Sequence, residues 1–272
     1  MPRSGSSPFS FPDFRGTTRR LVLINLFAFF ALLLTPFVFR NLEVPLPERF
    51  GFIPSAFLHL GWLWQPFTYS FVHPTIVGTL FELLSLWFLA GFLENLHTSN
   101  WVAGLYAASV LGTAAAATAI YAASGTLGYS LSEITIYGCG GGIFGLLIAI
   151  GFLYGNMEFL LFFTIGIKAK YLAAVYALIS IAMLFGEQKM YAFAQLGGAL
   201  AGLLFIKLAP RRGISFAFSE TWYGLRNRYY RWKRRRAARK FEVYMRSQGK
   251  TVRFDGNGRQ IDDDHDDKKR WN

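Results

Sequence analysis

The chain has 272 residues, of which 53% are hydrophobic and 18% aromatic, and it carries a formal net charge of +12. A soluble domain of this length is rarely so apolar, and the apolar excess lies between roughly residues 21 and 208, with polar, basic segments at both ends. There is one cysteine, Cys139, which excludes a disulfide framework within one chain. These features predict an all-α integral membrane protein with polar tails.

The first forty residues divide into two parts. Residues 1–20 are rich in Ser, Pro, Gly and Arg, which predicts a disordered tail. The apolar run at 21–39 is long enough to span a membrane and is followed by no small-residue cleavage motif, so we interpret it as an uncleaved first span. Residues 40–74 mix prolines with aromatic side chains, and we expect this segment to lie in the membrane interface.

Five further apolar runs predict membrane spans at 76–93, 101–123, 140–154, 171–185 and 191–208. Small residues recur four apart in three of these runs, and this spacing favours close packing of helix backbones. The small residues are Gly104, Ala108, Gly112 and Ala116, then Gly141, Gly145 and Ala149, and finally Ala194, Gly198 and Gly202.

Six spans would put both termini on the same side of the membrane. Most of the basic residues fall on that side, namely Arg15, Arg19, Arg20, Lys168, Lys170 and the residues from Arg211 onward. The positive-inside rule therefore predicts that both termini are cytoplasmic. An uncleaved anchor without a transit peptide favours a bacterial inner membrane.

Residues 213–272 predict a flexible cytoplasmic tail. Its basic part, "RNRYYRWKRRRAARKFEVYMR", interleaves aromatic residues with arginines and lysines, and a patch at 262–267 is acidic. Anionic lipid is one expected partner of the basic part, while enforcement of topology alone is the other reading. Nucleic acid is not expected, because no nucleic-acid-binding fold is recognisable.

The order of several motifs points to a known family. "WQPFTYSFVH" precedes the second span, "FELLSLWFLAGFLE" forms it, "YGCGGGIFGLL" opens the fourth, "IKAKYLA" opens the fifth and "AQLGGALAGLL" lies in the sixth. In this order and spacing, residues 21–212 resemble the rhomboid intramembrane serine proteases. The resemblance implies a six-transmembrane-helix rhomboid-like bundle, with a serine–histidine dyad at helices four and six and a His and an Asn on helix two.

All four catalytic positions of that family differ in this chain. The nucleophile position holds Gly140 and the base position holds Gln195, while the helix-two positions hold Gly78 and Glu82. Glycine has no attacking group, and a neutral amide does not accept a proton. The resemblance therefore implies a rhomboid pseudoprotease with no catalytic residue, no cofactor and no metal.

Cys139 is the candidate for a non-standard nucleophile, because a thiolate is stabilised at a helix N-terminus. It needs a neighbouring base, and none of the four histidines, His59, His73, His97 and His265, lies in the sixth span. The alternative interpretation is a small buried residue at a tight helix crossing.

Glu82 is the remaining polar residue of interest, because a carboxylate within a span usually faces the protein interior and has a partner. We expect it to form a hydrogen bond with Gln195. A client-binding cavity of Glu82, Gln195, Gly140 and His73 would then take transmembrane segments of other membrane proteins, whereas the alternative is a polar clamp between helices two and six. We expect His73 to tie the interfacial segment in place by hydrogen bonds. A third possibility is an architectural protein that recruits partners through its tail.

Overall fold

The computed structural model describes residues 12–38, 46–126, 135–161, 165–186, 188–208, 214–249, 252–254 and 260–261. Contacts divide the chain into two units, Met1–Gly213 and Ile214–Asn272. The first unit contains every candidate site residue.

The first unit is a helical bundle with one small hairpin. Its helices are α1 (Gly16–Val38), α2 (Leu46–Phe50), α3 (Pro54–His59), α4 (Gln65–Thr68), α5 (Ile76–Leu96), α6 (Ser99–Thr126), α7 (Gly140–Leu153), α8 (Ala169–Met183) and α9 (Lys189–Leu208), with a 3-10 turn at Tyr69–Phe71 after α4. The antiparallel hairpin pairs β1 (Glu158–Leu161) with β2 (Ile165–Lys168). The sequence had predicted no strand between the spans at 140–154 and 171–185.

Helices occupy all six predicted span positions, but they differ in length. Among the described residues, α1, α5, α6 and α9 are long and apolar enough to cross a membrane. The helices α7 and α8 have 14 and 15 residues. At 1.5 Å per residue each is about 21–23 Å long, shorter than a hydrocarbon core of about 30 Å. A helical membrane protein is therefore established, and the count of six spans stays a prediction.

The first helix begins at Gly16, so the prediction of disorder is wrong for residues 16–20. The cause is a distant carboxylate. Glu94 accepts hydrogen bonds from the backbone N–H groups of Thr17 at 2.7 Å and Thr18 at 3.0 Å. It thereby satisfies donors that would otherwise be unpaired at the helix N-terminus. Residues 1–11 lie outside the described part of the chain.

The centre of the bundle is the packing of α6 against α9 and α7. Side chains would not fit at several of its glycines. A Cβ atom added at Gly112 would collide with Ala201 of α9, and one added at Gly145 would collide with Ser109 of α6. The predicted four-residue spacing of small residues thus coincides with close helix contacts.

The segment between α1 and α5 folds into short helices that pack on α6. Phe52 and Tyr69 are buried, and the Tyr69 hydroxyl donates to the Val110 carbonyl at 2.7 Å. Phe52 also forms an antiparallel backbone bridge with Ile136. This bridge fixes the loop that leads into α7, and with it the position of the residues at the α7 N-terminus.

The second unit contains α10 (Ile214–Ser247) and a two-residue pair of strands, β3 (Arg253–Phe254) and β4 (Gln260–Ile261). The prediction of a flexible tail is therefore wrong for the α10 segment, which forms one continuous helix of 34 residues. Strong helix formers are frequent along it, which favours the helix. The acidic patch at 262–267 lies outside the described residues.

Candidate functional site

Four parts of the chain bring polar side chains together inside the first unit. Asn25 comes from α1, His73 from the loop before α5, Glu82 from α5 and Cys139 from the loop before α7. We call these four residues the polar cluster. His73 Nε2 lies 3.0 Å from Asn25 Oδ1, and His73 Nδ1 lies 2.9 Å from Glu82 Oε2. Apolar helices surround them, so each polar group is satisfied by another polar group.

The Glu82 carboxylate also holds the start of α7. Its Oε2 atom accepts a hydrogen bond from the Cys139 backbone N–H at 3.1 Å and contacts the Cys139 thiol at 3.5 Å. A negative group at this position interacts favourably with the N-terminal end of the α7 dipole. Since 28% of its side chain is exposed, Glu82 also faces open space.

The predicted hydrogen bond between Glu82 and Gln195 is wrong. Gln195 Oε1 instead accepts from the Ser180 hydroxyl of α8 at 3.2 Å. The carboxylate is engaged by His73, which the sequence had placed in the same cavity, and by Cys139, which it had not. Glu82 thus connects α5 to the loop before α7, whereas Gln195 connects α9 to α8.

Gly140 and Gln195 are nevertheless neighbours. A Cβ atom at Gly140 would lie 3.5 Å from Gln195 Nε2, 3.0 Å from the Tyr191 hydroxyl oxygen and 3.9 Å from Glu82 Oε1. The structure therefore brings together three of the four positions transferred from the resemblance. The fourth, Gly78, lies one helical turn before Glu82 on α5, and a Cβ atom there would be 2.5 Å from Thr75 Oγ1.

Gly138 makes the approach of the carboxylate possible. Its φ angle is +83°, a conformation that side chains disfavour, and a Cβ atom there would lie 2.6 Å from Glu82 Oε2. Its N–H donates to the carbonyls of Val72 at 2.8 Å and Tyr69 at 3.1 Å. The glycine therefore fixes the loop while leaving room for the carboxylate.

Cys139 is fully buried at the N-cap of α7. A histidine from outside the sixth span lies near it, because one ring nitrogen of His73, a Glu82 oxygen and the Cys139 sulfur lie within 4.8 Å of one another. Burial of the sulfur, however, leaves no path for a substrate carbonyl to reach it.

A cavity of ≈ 410 Å³ opens beside the polar cluster. The described residues that line it are His73, Pro74, Thr75, Gly78, Thr79, Glu82, Thr135, Tyr137, Gln188 and Tyr191. His73, Gly78 and Glu82 were singled out by the sequence, whereas Gly140 and Gln195 are not among this set. The lining is mostly polar or small, which suits a ligand that carries a hydrogen-bonding group.

Sequence reasoning missed Asn25 and Tyr191. Asn25 is fully buried and its Nδ2 atom donates to the Leu21 carbonyl at 2.8 Å. A signal was present, because Asn25 is an isolated amide in the run "LVLINLFAFF", and polar residues in a span usually have an inward-facing partner. Tyr191 gave no such signal, since a tyrosine at the start of a span is ordinary at an interface.

The apolar helices and the enclosed polar cluster define a helical integral membrane protein. The family described as "Eukaryotic integral membrane protein (DUF1751)" matches residues 21–215, which is most of the chain. The chain belongs to this family, which is grouped with rhomboid-like families. A comparison with curated proteins found no match. The expectation of a bacterial inner membrane is wrong, because the family is eukaryotic. The expectation of an integral membrane protein fits the family description.

Proposed function

We propose that this protein is a non-proteolytic, rhomboid-like membrane protein that binds transmembrane segments of client proteins through the cavity beside Glu82. The observation that carries the proposal is a partly exposed carboxylate at a cavity in a membrane bundle. A charged group in a span costs roughly 2.5–3.5 kcal/mol on insertion scales, so its retention at a cavity favours a binding role.

The chemistry of the neighbouring positions supports binding over hydrolysis. Gly140 and Gln195 lie side by side at the positions where the resemblance requires a nucleophile and a base. Glycine has no nucleophilic side chain, and a glutamine amide does not act as a general base. The remaining candidate nucleophile, Cys139, has no exposed surface. A serine hydrolase that lacks nucleophile or base loses on the order of a millionfold in rate.

We infer that a client helix would approach from the membrane between α5 and α8. Both helices pack on α7, but they have at most a marginal contact with each other. Side chains on both are apolar and exposed, including Leu80 and Phe81 on α5 and Val175 and Ile179 on α8. A client helix in the bilayer could pack against these faces while a polar group on it reaches Glu82. The chemistry at Glu82 selects a hydrogen-bond donor, such as an amide, a hydroxyl or a lysine ammonium.

A defined peptide experiment tests this proposal. The full chain is reconstituted in nanodiscs with a labelled single-span leucine helix that carries one central asparagine or lysine, and energy transfer measures association. We expect the polar helix to bind at least about tenfold more tightly than its all-leucine counterpart, because a hydrogen bond to a charged group contributes about 1.5–3 kcal/mol. Glu82→Gln should remove the preference, whereas Glu158→Gln, an exposed carboxylate in β1, should not. Equal binding of both helices to the wild-type protein contradicts the proposal.

A cleavage assay tests the other half of the proposal. The purified protein, a generic rhomboid substrate and a fluorophosphonate probe should give neither cleavage nor labelling. Cleavage that disappears in Cys139→Ala would support the protease with an unorthodox nucleophile. The double variant Gly140→Ser/Gln195→His is assayed alongside the wild type. Cleavage by this variant would support the assignment of Gly140 and Gln195 to the nucleophile and base positions, and it would also support the loss of proteolytic activity in the wild type.

A second candidate function is attachment of α10 to anionic lipid. Its described basic side chains are exposed, as are the interleaved aromatic rings of Tyr229, Trp232 and Tyr244. Arginines near an anionic surface contribute about 1 kcal/mol each, and aromatic rings favour the interface. The third possibility, recruitment of a partner protein by the same helix, would use the same residues.

The sole cysteine makes the lipid experiment simple. In a Cys139→Ser background, a fluorophore on Ala237→Cys should shift to a less polar environment in nanodiscs that contain phosphatidylserine, and salt should reverse the shift. The same spectrum in neutral and anionic nanodiscs would rule out lipid attachment.

A further inference from the structure

Three potential metal ligands of different chemistry converge beside the cavity. One ring nitrogen of His73, a carboxylate oxygen of Glu82 and the sulfur of Cys139 lie within 4.8 Å of one another. From this convergence and the hydrogen bonds around it, we propose that these three residues bind one divalent transition-metal ion, best Zn²⁺. The proposal goes beyond client binding and does not depend on it.

The hydrogen bonds of Asn25 determine the state of the histidine ring. The Asn25 amide nitrogen donates to the Leu21 carbonyl, which orients Oδ1 toward His73 Nε2. Since Oδ1 only accepts, Nε2 carries the hydrogen. In neutral histidine, the lone pair then lies on Nδ1, the atom that faces Glu82 Oε2 at 2.9 Å.

Two acceptors at that distance repel each other unless a positive species lies between them. A second proton on the pair is one solution, and a cation is the other. The Cys139 backbone N–H already donates to the same oxygen, and the Cys139 thiol contacts it at 3.5 Å. Metal binding would use the Nδ1 lone pair, the carboxylate and the sulfur at once.

The spacing suits a small tetrahedral ion. Zinc bonds of about 2.0–2.3 Å to nitrogen, oxygen and sulfur imply ligand separations of about 3.4–3.6 Å. The Nδ1–Oε2 distance is 2.9 Å and the Sγ–Oε2 distance is 3.5 Å. The separation of the ring nitrogen and the sulfur is at most 4.8 Å, so side-chain rotations would have to bring these two atoms closer to complete the tetrahedral spacing. A fourth position would face the cavity, where water or a ligand group completes the tetrahedron.

The ligand types select the metal. A thiolate and an imidazole favour Zn²⁺ over Mg²⁺ or Ca²⁺, which prefer oxygen ligands. With neutral His73, ionised Glu82 and the Cys139 thiolate, a dication gives a site of zero net charge, which lowers the cost of burial in a membrane bundle. The thiol proton leaves for water when the Zn–S bond forms. Asn25 would orient the histidine ring as an outer partner of the ligand.

Cobalt substitution of the full chain in detergent tests the site directly. A tag without histidines is used, and Co²⁺ is added after chelator treatment and dialysis. We expect one equivalent of cobalt per chain, with the intense near-ultraviolet absorption of a thiolate–cobalt bond and visible bands of tetrahedral geometry. Zinc should displace cobalt, and elemental analysis should then find one zinc per chain.

Variants separate this site from adventitious binding. Cys139→Ser should abolish the thiolate band, and Glu82→Gln should reduce affinity strongly. His59→Gln, which removes an exposed histidine away from the cluster, should change nothing. Asn25→Ala should weaken metal binding about 10–100-fold while keeping the thiolate band, as expected of an outer partner.

Two results would overturn the proposal. One is the absence of a thiolate–cobalt band from the folded wild-type protein at saturating metal. The short contact between His73 and Glu82 would then be explained by a shared proton and not by a metal ion. The other is equal metal binding by wild type and Cys139→Ser, which would indicate an adventitious ion only. The spectrum of the wild-type protein decides the first result even if a variant does not fold. Neither result bears on the leucine-helix experiment, whose signal needs only the carboxylate.

Discussion

Replacement of Glu94 by alanine should loosen the attachment of α1 to the bundle. The carboxylate accepts from Thr17 N at 2.7 Å, from Thr18 N at 3.0 Å and from Thr18 Oγ1 at 2.6 Å, and it also accepts from the Ser99 hydroxyl. One side chain of α5 therefore caps α1 and binds the start of α6. The side chain is 9% exposed, so water does not readily replace it.

The expected loss follows from these four bonds. A hydrogen bond to a charged group contributes about 1.5–3 kcal/mol, but the four share one carboxylate and are not additive. Loss of a helix cap alone costs about 0.5–2 kcal/mol. We therefore expect Glu94→Ala to lower the free energy of unfolding by about 3–5 kcal/mol. Glu94→Gln keeps one acceptor oxygen and should cost about half as much.

Thermal unfolding in detergent micelles, followed by tryptophan fluorescence, measures the effect. At about 2–4 °C per kcal/mol, Glu94→Ala should lower the Tm by about 6–20 °C. Glu158→Gln replaces an exposed carboxylate of the same unit and should leave the Tm unchanged. A Tm of Glu94→Ala within about 2 °C of the wild type would refute the reasoning, because that change corresponds to less than one neutral hydrogen bond.

Three more outcomes follow from single contacts. Gly138→Ala should cost more than Gly61→Ala in Tm, since both have positive φ but only Gly138 faces a carboxylate within 3 Å, whereas a Cβ at Gly61 meets nothing within 4 Å. Gly145→Ala should lower the Tm by the equivalent of about 1–3 kcal/mol through overpacking between helices, while Gly125→Ala, which has open space, should be neutral or slightly stabilising in the same assay. Burial lowers the pKa of His97, so folding favours its neutral form. The contribution of His97 to the free energy of unfolding should therefore be complete above the unfolded pKa of about 6.5 and should be lost as the pH falls through the lower folded pKa. A series of Tm measurements from about pH 8 to about pH 5 should accordingly depend less on pH in His97→Phe than in the wild type.

Hydropathy predicted the helix positions because burial in a membrane demands about twenty apolar residues in a row. It failed at the ends of helices, where single polar contacts decide. Gly16 begins α1 because Glu94 caps it from 78 residues away in the chain, and no local pattern carries that information. The β1–β2 hairpin was missed because its strands have only 4 residues each.

The candidate site was predicted only in part. Glu82 was recognisable as a carboxylate in an apolar helix, and the resemblance placed Gly140 beside Gln195. The contact of Glu82 with Cys139 was not predictable, because it depends on the loop into α7 that the Phe52–Ile136 bridge holds in place. A helix register predicts which face a residue occupies, but it does not predict which loop crosses that face.

The two oxygens of Glu82 separate a structural role from a binding role. Oε2 faces His73 and the Cys139 N–H, so it holds α7 in place. Among the described contacts, Oε1 has no hydrogen bond, and it lies 3.9 Å from the Cβ position of Gly140. In Glu82→Gln, the amide oxygen would accept from the Cys139 N–H, and the NH₂ group would then take the place of Oε1. The amide oxygen would face the lone pair on His73 Nδ1, so the Tm of the variant should fall, while the open acceptor becomes a donor and the preference for donor-bearing helices should be lost.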